Sequence, residues 1–319
     1  MKILVAGGAG YIGSMLVPAL KEKNYEVDVA DFLWFGNHLP KDTKIINKNL
    51  FDLDQKEFKG YDQVIFVAGL SNDPMAEHSP KQNFIYNGAL PSYLAFQSKK
   101  MGVKKFIYAC SCSIYGYTLD KSFDEESPVT CGYPYGLSKF EGERVPLLLQ
   151  DDNFSVITLR KGTVGGFSPR MRTDLVVNAM FKSSILEKKV TVNNPAIWRP
   201  VLDIRDCVDA YLKAVEADSS VNGSFNIASG NYTVGEIGNI VREEVGKKTG
   251  KKIDLETKNI PDFRNYKVSI EKAKTFLKFN PKYTVQDTVN HLFENLEKIG
   301  DLGNERYSNI KVFQKLERE

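Results

Sequence analysis

The segment KILVAGGAGYIG, residues 2–13, determines the predicted fold. Its apolar start is typical of a buried strand, and the amphipathic stretch over residues 11–24 is typical of a helix. The turn between them contains glycines in a G-x-x-G-x-x-G spacing, namely Gly7, Gly10 and Gly13. A ligand-binding turn of this kind needs one glycine to turn the chain, one to let a ligand approach the backbone and one to let the helix pack on the strand.

The second predicted strand, residues 25–31, ends on a carboxylate, Asp31. A helix N-terminus offers free N–H groups to a pyrophosphate, and a carboxylate at the end of the second strand can accept from both hydroxyls of a ribose. The same carboxylate would repel a 2′-phosphate, and residues 32–35 contain no arginine to neutralise one. The sequence therefore predicts a site for NAD rather than NADP.

Further strands are predicted at residues 62–69, 104–110 and 155–162, with helices at about 82–101 and 135–149. Continuous apolar strands separated by helices indicate a parallel sheet that is covered on both faces. The predicted fold class is therefore α/β, with a Rossmann-type doubly wound sheet and a smaller α/β C-terminal substrate domain.

We assign residues 1–165 to the NAD-binding domain and residues 166–319 to the substrate-binding domain. The two are predicted to interleave, because an apolar strand near residues 224–228 is placed to return to the main sheet. A helix that begins at Thr233 follows it, since threonine is a favourable residue at a helix N-cap.

Composition excludes several classes of function. The net charge of +3 over 319 residues gives no electrostatic reason to bind nucleic acid or an anionic membrane. No apolar stretch approaches the ~20 residues of a membrane span, and the N-terminus lacks the features of a signal peptide. The four cysteines show no C-x-x-C spacing and the chain has three histidines, so no metal site is predicted. A reducing, cytoplasmic location fits this use of cysteine.

The motif YPYGLSK, residues 133–139, places Tyr135 and Lys139 on one face of a predicted helix. A free phenol titrates near ~10, and a neighbouring ammonium together with a cationic nicotinamide ring favours its phenolate. Tyr135 can therefore act as a general base towards a substrate hydroxyl. Ser111, at the end of the strand over 104–110, can hold the same oxygen.

The stretch FIYACSCSIYG, residues 106–116, admits four interpretations: a redox pair, a metal site, a hydrolase nucleophile or ordinary packing. Cys110 and Cys112 lie two apart on a strand, a spacing that seldom forms a structural disulfide. A hydrolase would need a partner histidine and a G-x-S-x-G turn, and neither is present here. Ser111 as a hydroxyl of the hydride-transfer site and Cys110 as packing are the simplest interpretation.

These motifs together resemble an extended short-chain dehydrogenase/reductase of the nucleotide-sugar epimerase and dehydratase family. The resemblance covers essentially the whole chain. It implies a Rossmann-type NAD domain, a nucleoside diphosphate sugar as substrate, hydride removal from the sugar, usually at C4, and a homodimer formed through the helices near 82–101 and 135–149. The segments that carry it are GGAGYIG, Asp31, the segment ending at Asn87, residues 111–116, YPYGLSK, WRPVLDIRD at 198–206 and FNIASG at 225–230.

The same resemblance implies the residues of the site. The catalytic residues are Ser111, Tyr135 and Lys139. The residues expected to bind NAD are Gly7, Gly10, Tyr11, Ile12, Gly13, Asp31, Asp52, Leu53, Ala68, Gly69, Asn87, Tyr135 and Lys139. The residues expected to bind the nucleotide sugar are Ser111, Cys112, Ser113, Thr163, Asn178, Arg199 and Arg264, with the two arginines and Asn178 on the diphosphate.

The identities of Cys112 and Ser113 reduce the number of family reactions that are expected for this chain. Family members that dehydrate their sugar carry an Asp–Glu acid pair at these positions, so dehydration is not expected. Epimerisation at C4, net oxidation at C4 and reduction of a 4-keto sugar remain, and a non-catalytic NAD-binding protein is the alternative of another class. The stretches LRKGTVGG, SNDP and SPRMRTDLVVN are similar to a bacterial subgroup that handles surface-polysaccharide sugars, some of whose members oxidise GDP-heptose at C4. We therefore predict a C4 dehydrogenase, with a 4-epimerase holding NAD tightly as the alternative.

Overall fold

The structure is a computed structural model that describes residues 1–260, 262 and 264–318. Its strands, in chain order, are β1 Lys2–Ala6, β2 Glu26–Ala30, β3 Lys44–Ile46, β4 Gln63–Phe66, β5 Lys105–Ser111, β6 Tyr117–Phe123, β7 Ser155–Lys161, β8 Thr163–Gly165, β9 Lys189–Asn193, β10 Trp198–Asp203, β11 Gly223–Ile227, β12 Gly230–Thr233, β13 Asp254–Lys258 and β14 Asn265–Val268.

The α-helices are α1 Gly13–Glu22, α2 Asp73–His78, α3 Pro80–Phe84, α4 Leu90–Lys100, α5 Pro134–Leu148, α6 Val176–Glu187, α7 Ile204–Glu216, α8 Val234–Thr249, α9 Val285–Glu294, α10 Leu296–Ile299 and α11 Asn309–Leu316. The helix predicted near 82–101 consists of α3 and α4 joined by a π-helical segment, Ile85–Ala89. Among the residues that the structure describes, no helix combines the length and the apolar character needed to cross a membrane.

Seven strands form one parallel sheet in the order β11-β7-β5-β4-β1-β2-β3. The order reverses between β1 and β4, and a doubly wound sheet opens a crevice at such a reversal, beyond the carboxyl ends of its strands. The predicted α/β fold with a large parallel sheet is confirmed.

Both faces of this sheet are buried, because neighbouring residues of a strand point to opposite faces. On β1, Val5 belongs to the cluster that includes Leu16 of α1 and Tyr211 of α7. Leu4 belongs to the opposite cluster, with Leu94 of α4. The continuous apolar runs in the sequence follow from this two-sided burial.

After β7 the chain leaves the main sheet and enters a second layer, which is built around α6, α8 and α9. It returns to the main sheet between α7 and α8. Strand β11, Gly223–Ile227, pairs with β7 at the edge of the sheet, and α7 packs against the sheet beside α1. A third apolar cluster lies between α6, α8 and α9, with Phe181, Val241 and Val289 fully buried. Thr233 caps α8 by accepting a hydrogen bond from the Glu236 backbone N–H at 3.1 Å.

Candidate active site

A cavity of about 770 Å³ lies along the carboxyl ends of the central strands, between the parallel sheet and the C-terminal layer. Its volume is in the range of sites that bind cofactors and nucleotide ligands. Four predicted regions line it: the glycine turn, the end of β2, the end of β5 and the start of α5. The predicted residues that line it are Gly7, Gly10, Tyr11, Ile12, Asp31, Ala68, Gly69, Ser111, Ser113, Tyr135, Thr163, Arg199 and Arg264.

The glycine turn leaves its backbone open to the cavity. Gly7 has φ +84°, and a Cβ there would lie 2.4 Å from the backbone nitrogen of Ala68. Only glycine can hold the chain in this position, and the open backbone fits the pyrophosphate of a dinucleotide. Gly13 does not line the cavity: a Cβ there would meet the Gly8 carbonyl at 2.3 Å, so this glycine serves the packing of α1 on the turn.

Asp31 lies directly after β2 and lines the same end of the cavity. Its two carboxylate oxygens each accept one backbone hydrogen bond, from Ala9 N at 2.9 Å and Leu33 N at 2.8 Å. Burial raises the pKa of this carboxyl, and those backbone donors act against the rise. Each oxygen keeps a free lone pair, which is the arrangement that a ribose diol requires.

Five of the residues predicted to contact NAD lie outside the cavity lining, namely Gly13, Asp52, Leu53, Asn87 and Lys139. Asp52 is exposed to solvent, and Leu53 is fully buried in the core, so neither lines the cavity. Asn49 and Leu50 take that place at the cavity wall, because the turn at this point is a short 3₁₀ helix that directs Asp52 outward. Asn87 is fully buried and donates to the Leu70 carbonyl at 2.8 Å, which ties the π-helical segment to the loop after β4.

Tyr135 and Lys139 lie on one face of α5, with Tyr135 at the cavity wall. Burial, reinforced by the charge of Asp73, raises the pKa of the Tyr135 phenol, while the Ser111 hydroxyl acts in the opposite direction. The sequence predicts a lowered pKa for Tyr135, because that prediction includes the lysine and the cofactor ring. It leaves out the loss of water around the buried phenol, which raises the pKa.

Lys139 lies behind Tyr135 and is 5% exposed. Its Nζ is 4.8 Å from the centre of the Tyr108 ring, a cation–π contact. Burial lowers the pKa of Lys139 to about 7, and the ammonium of Lys161 adds to this shift. Lys139 therefore changes its charge near neutral pH, the range in which a group that influences Tyr135 is most useful.

The end of β5 presents a pair of serines to the cavity. The Ser113 hydroxyl donates to Ser111 Oγ at 2.9 Å, and the Ser113 backbone N–H donates to the same oxygen at 3.2 Å. Ser111 Oγ thus receives two hydrogen bonds, which leaves its own O–H to donate towards a ligand. Ser113 positions Ser111 in this arrangement.

Cys112 does not reach the cavity, contrary to its predicted contact with the sugar. The residue is fully buried and its thiol donates to the Arg160 carbonyl at 3.0 Å. Burial raises the pKa of this thiol. Cys112 belongs to the same buried cluster as Cys110, two residues earlier, so the cavity face at the end of β5 is formed by Ser111 and Ser113 instead. Within the described residues, no group of three or more His, Cys, Asp or Glu side chains could hold a metal ion.

Arg199 and Arg264 line the cavity, and both guanidiniums form ion pairs with acidic side chains. Arg199 donates to Asp262 at 2.8 Å. Arg264 donates to the same carboxylate at 2.8 Å and forms a second ion pair with Asp73, the first residue of α2. Any anion that binds these arginines has to compete with two carboxylates.

Asn178 is not placed to bind a diphosphate. It is fully buried beneath the cavity wall, its Oδ1 accepts from Gly166 N at 2.9 Å, and its Nδ2 donates to the Arg172 carbonyl at 2.8 Å. The amide also contacts the Tyr11 hydroxyl at 3.2 Å. Both ends of the amide are therefore used to hold the loop before α6 against the glycine turn.

Three buried cations, Lys161, Arg170 and Arg172, also line the cavity; from the sequence each fitted either a phosphate contact or a solvated surface position. The Arg170 guanidinium lies 3.7 Å from the centre of the Phe35 ring and donates to Asn309 Oδ1 at 2.6 Å, and its charge reaches Asp31. Lys161, the last residue of β7, faces the cavity beside Ser111. The sequence could not decide between the two positions for Arg170, because residues 35, 170 and 309 meet only in the folded chain.

Comparison with known proteins shows a family and a shared fold for this chain. The family model described as "NAD dependent epimerase/dehydratase family" matches residues 3–228. A putative UDP-glucose 4-epimerase of Methanocaldococcus jannaschii is 29% identical over 76% of this chain and 82% of its own length.

Two solved structures share the fold over nearly the whole chain. One is the UDP-glucose 4-epimerase of Thermotoga maritima with UDP-glucose, which is 25% identical, covers 93% of this chain and 100% of its own, and has a TM-score of 0.79. The other is the UDP-glucuronic acid 4-epimerase of Bacillus cereus with UDP-glucuronic acid and NAD, which is 23% identical, covers 94% of this chain and 100% of its own, and has a TM-score of 0.82.

Proposed function

Because this chain belongs to the NAD-dependent epimerase/dehydratase family, we propose that it uses NAD to oxidise C4 of a nucleoside diphosphate sugar and releases the 4-keto sugar. The observation that carries this proposal is the single cavity shared by the glycine turn and the reacting groups. Gly7 and Asp31 at one end fit the dinucleotide, and Ser111 and Tyr135 at the other end fit a sugar hydroxyl.

In this mechanism the chain supplies proton transfer and positioning. NAD, when bound, accepts the hydride that leaves the sugar carbon. Tyr135 removes the proton of the C4 hydroxyl, so that the C–H and O–H bonds both break as the C=O bond forms. The Ser111 O–H donates to the same oxygen and keeps it directed at the phenol. Lys139 lies one turn along the helix, and its protonated ammonium form stabilises the Tyr135 phenolate.

The cavity supports hydride transfer better than loss of water. The side chain at position 112 is a buried thiol whose pKa is raised, and it donates to the Arg160 carbonyl. Ser113 is engaged with Ser111. Neither side chain can supply the acid and base that elimination of a sugar hydroxyl requires.

Arg199 and Arg264 are proposed to bind the diphosphate of the substrate. Both line the cavity, and a guanidinium fork matches phosphate oxygens. Thr163, at the start of β8, lines the wall between them and Ser111 and offers a hydroxyl to the sugar. The nucleoside and the sugar are left open by these groups, and a GDP-heptose used in bacterial surface-polysaccharide synthesis remains our narrower prediction.

A homodimer through α4 and α5 is also proposed, as the family resemblance implies. Apolar side chains on these helices are exposed, with Leu148 at 81% and Phe96 at 52%. Large exposed apolar side chains on two neighbouring helices are consistent with an interface at this face. Sedimentation at micromolar concentration tests it: a dimer is expected, and a monomer for the wild type would contradict it.

The reaction is tested by incubating the protein with NAD and a panel of nucleoside diphosphate sugars. Mass spectrometry and NMR of the products identify a 4-keto sugar, a C4 epimer or no change. A 4-keto sugar formed with stoichiometric NADH supports the dehydrogenase. A C4 epimer without net redox change supports the alternative, a 4-epimerase, and no product from any sugar would contradict both.

A further inference from the structure

Lys161 lies at the reacting end of the cavity. It is the last residue of β7, and its Cα partner on the neighbouring strand β5 is Ser111. Parallel strands are about 4.8 Å apart, and paired residues point to the same face of a sheet. Lys161 is 9% exposed, and the surface it retains faces the cavity.

The ammonium of Lys161 has no acidic partner among the described residues. Its Nζ donates one hydrogen bond, to the Cys110 carbonyl at 2.8 Å. Glu143, a buried carboxylate on α5, is taken up by Arg160, whose Nε donates to it at 3.0 and 3.1 Å. A buried ammonium is normally paired with an anion, but among the described residues the charge of Lys161 meets only a carbonyl and, at 5.9 Å from its Nζ, the centre of the Tyr211 ring.

Lys139 adds a second ammonium at this end. The two lysines are close enough that Lys161 contributes to lowering the pKa of Lys139, and burial lowers the pKa of Lys161 as well. Two anionic side chains of the cavity wall are also paired, since Asp73 binds Arg264 and Asp174 binds Arg172. The reacting end of the cavity therefore carries excess positive charge whenever either lysine is protonated.

Such a charge distinguishes between the two oxidation states of the cofactor. The nicotinamide ring is a cation in NAD⁺ and neutral in NADH, so a fixed ammonium nearby disfavours the oxidised form only. We propose that Lys161 makes the protein bind NADH more tightly than NAD⁺, by placing an unpaired ammonium where the nicotinamide ring is bound. This rests on the proposed function for one point, that the ring lies at the Tyr135 end.

The inference bears on the fate of the hydride. A site that stabilises NADH relative to NAD⁺ disfavours return of the hydride to the sugar, because that step converts bound NADH into the less stable bound NAD⁺. Release of a 4-keto sugar is then favoured over epimerisation.

The test compares dissociation constants for NADH and NAD⁺, with no sugar present. NADH is titrated by its fluorescence and NAD⁺ by competition, in the wild type and in Lys161→Met and Lys161→Gln. The ratio Kd(NAD⁺)/Kd(NADH) is expected to be above one in the wild type and to fall about tenfold in both neutral variants. Lys161→Arg, which keeps the charge, is expected to retain most of the wild-type ratio.

Lys105→Met is the matched control. Lys105 is another buried lysine, 4% exposed, but it begins β5 at the opposite end of the sheet and donates to the Ala214 carbonyl at 3.0 Å. Its replacement should leave the ratio unchanged. The inference is overturned if both neutral variants keep the wild-type ratio, if Lys161→Arg loses it as they do, or if the wild type binds neither dinucleotide. Failure of the proposed function appears separately, as absence of turnover of nucleotide sugars.

Discussion

The guanidinium of Arg264 forms an ion pair with the carboxylate of Asp73 at the cavity wall, although 191 residues separate them in the chain. Asp73 begins α2 in the first layer, and Arg264 precedes β14 in the second. The contact therefore joins the two layers at a point where a substrate diphosphate is proposed to bind. An incoming diphosphate has to replace Asp73 as the partner of Arg264.

Arg264→Met and Asp73→Asn are expected to change the affinity for UDP in opposite directions, with UDP as a probe of the diphosphate site that carries no claim about the nucleoside of the substrate. Loss of the guanidinium should raise the Kd of UDP at least about tenfold, because a charge-assisted hydrogen bond is lost. Loss of the competing carboxylate should lower that Kd severalfold. Calorimetric titration of UDP measures both, and the effects should shrink at high salt.

Two surface substitutions serve as controls for that pair. Arg242→Met removes an arginine that contacts Glu243 outside the cavity, and Asp42→Asn removes an aspartate that contacts Lys21. Neither should alter UDP binding, and NAD affinity should stay constant in all four variants. If Asp73→Asn weakens UDP binding as strongly as Arg264→Met, the competition between carboxylate and diphosphate does not exist.

Lys139→Met is expected to abolish turnover and at the same time to stabilise the fold near neutral pH. The pKa of Lys139 is lowered from 10.5 to about 7 by burial. Between these values the unfolded chain binds more protons than the folded one, so this residue makes stability rise with pH across that window and destabilises the fold most below it.

Thermal unfolding at a series of pH values checks this prediction. The Lys139→Met variant should unfold at a higher temperature than the wild type at pH 7, and the difference should shrink towards about pH 10, where the unfolded lysine also loses its proton. A variant that is less stable than the wild type at neutral pH would show that Lys139 contributes more by its contacts than it costs by its burial.

Ser113→Ala is expected to reduce kcat without changing NAD affinity. The substitution removes the hydrogen bond from the Ser113 hydroxyl to Ser111 Oγ, at 2.9 Å, which directs the Ser111 hydroxyl. A neutral hydrogen bond of this kind contributes about 1 kcal/mol, so a fall of about fivefold is expected. Ser111→Ala should cost more. The control is Ser127→Ala, because the Ser127 hydroxyl donates to Asp124 at 2.7 Å at a position that does not line the cavity. Equal activity of Ser113→Ala and Ser127→Ala would indicate that Ser113 has no positioning role.

Arg160→Met is expected to destabilise the protein by about 3–5 kcal/mol, because it leaves a buried carboxylate without its partner. Glu143 on α5 is 1% exposed, and Arg160 on β7 also donates to the Tyr115 hydroxyl at 2.8 Å. The pair thus fixes the helix that carries Tyr135 to the central sheet.

Urea unfolding of the single and double variants measures this effect. The double variant Arg160→Met/Glu143→Leu should recover part of the lost stability, since it no longer buries an unpaired charge. If the double variant is as unstable as the sum of the two single variants, the cost comes from lost packing instead.

Much of the fold could be predicted because its signals are local. The strands of the main sheet are apolar on both faces, and this pattern is visible in the sequence. The turn before α1 has a positive φ at Gly7, and the glycine spacing in the sequence predicts such a turn. Strands such as β3, Lys44–Ile46, could not be predicted, because three residues at the edge of a sheet carry neither a long apolar run nor an alternation.

In the candidate site, too, the residues whose relation is local could be predicted and those placed by tertiary contacts could not. Tyr135 and Lys139 are one helical turn apart, so their relation is fixed by local geometry. The placement of Asn178 and Cys112 depends on which way a side chain points after a loop or a 3₁₀ turn, and the tertiary contacts of Gly166 and Arg160 decide that. Lys161 faces the cavity for a similar reason, since strand register pairs it with Ser111.

The central claim is that Tyr135 is the base of a hydride-transfer reaction on a nucleotide sugar. The most direct test is a single-turnover experiment with NAD and a sugar that the wild type converts, following the bound cofactor and the product for the wild type and Tyr135→Phe. The account predicts that Tyr135→Phe binds NAD and the sugar as the wild type does and forms NADH and 4-keto product at least about a thousandfold more slowly. Formation of product at the wild-type rate in Tyr135→Phe would contradict it.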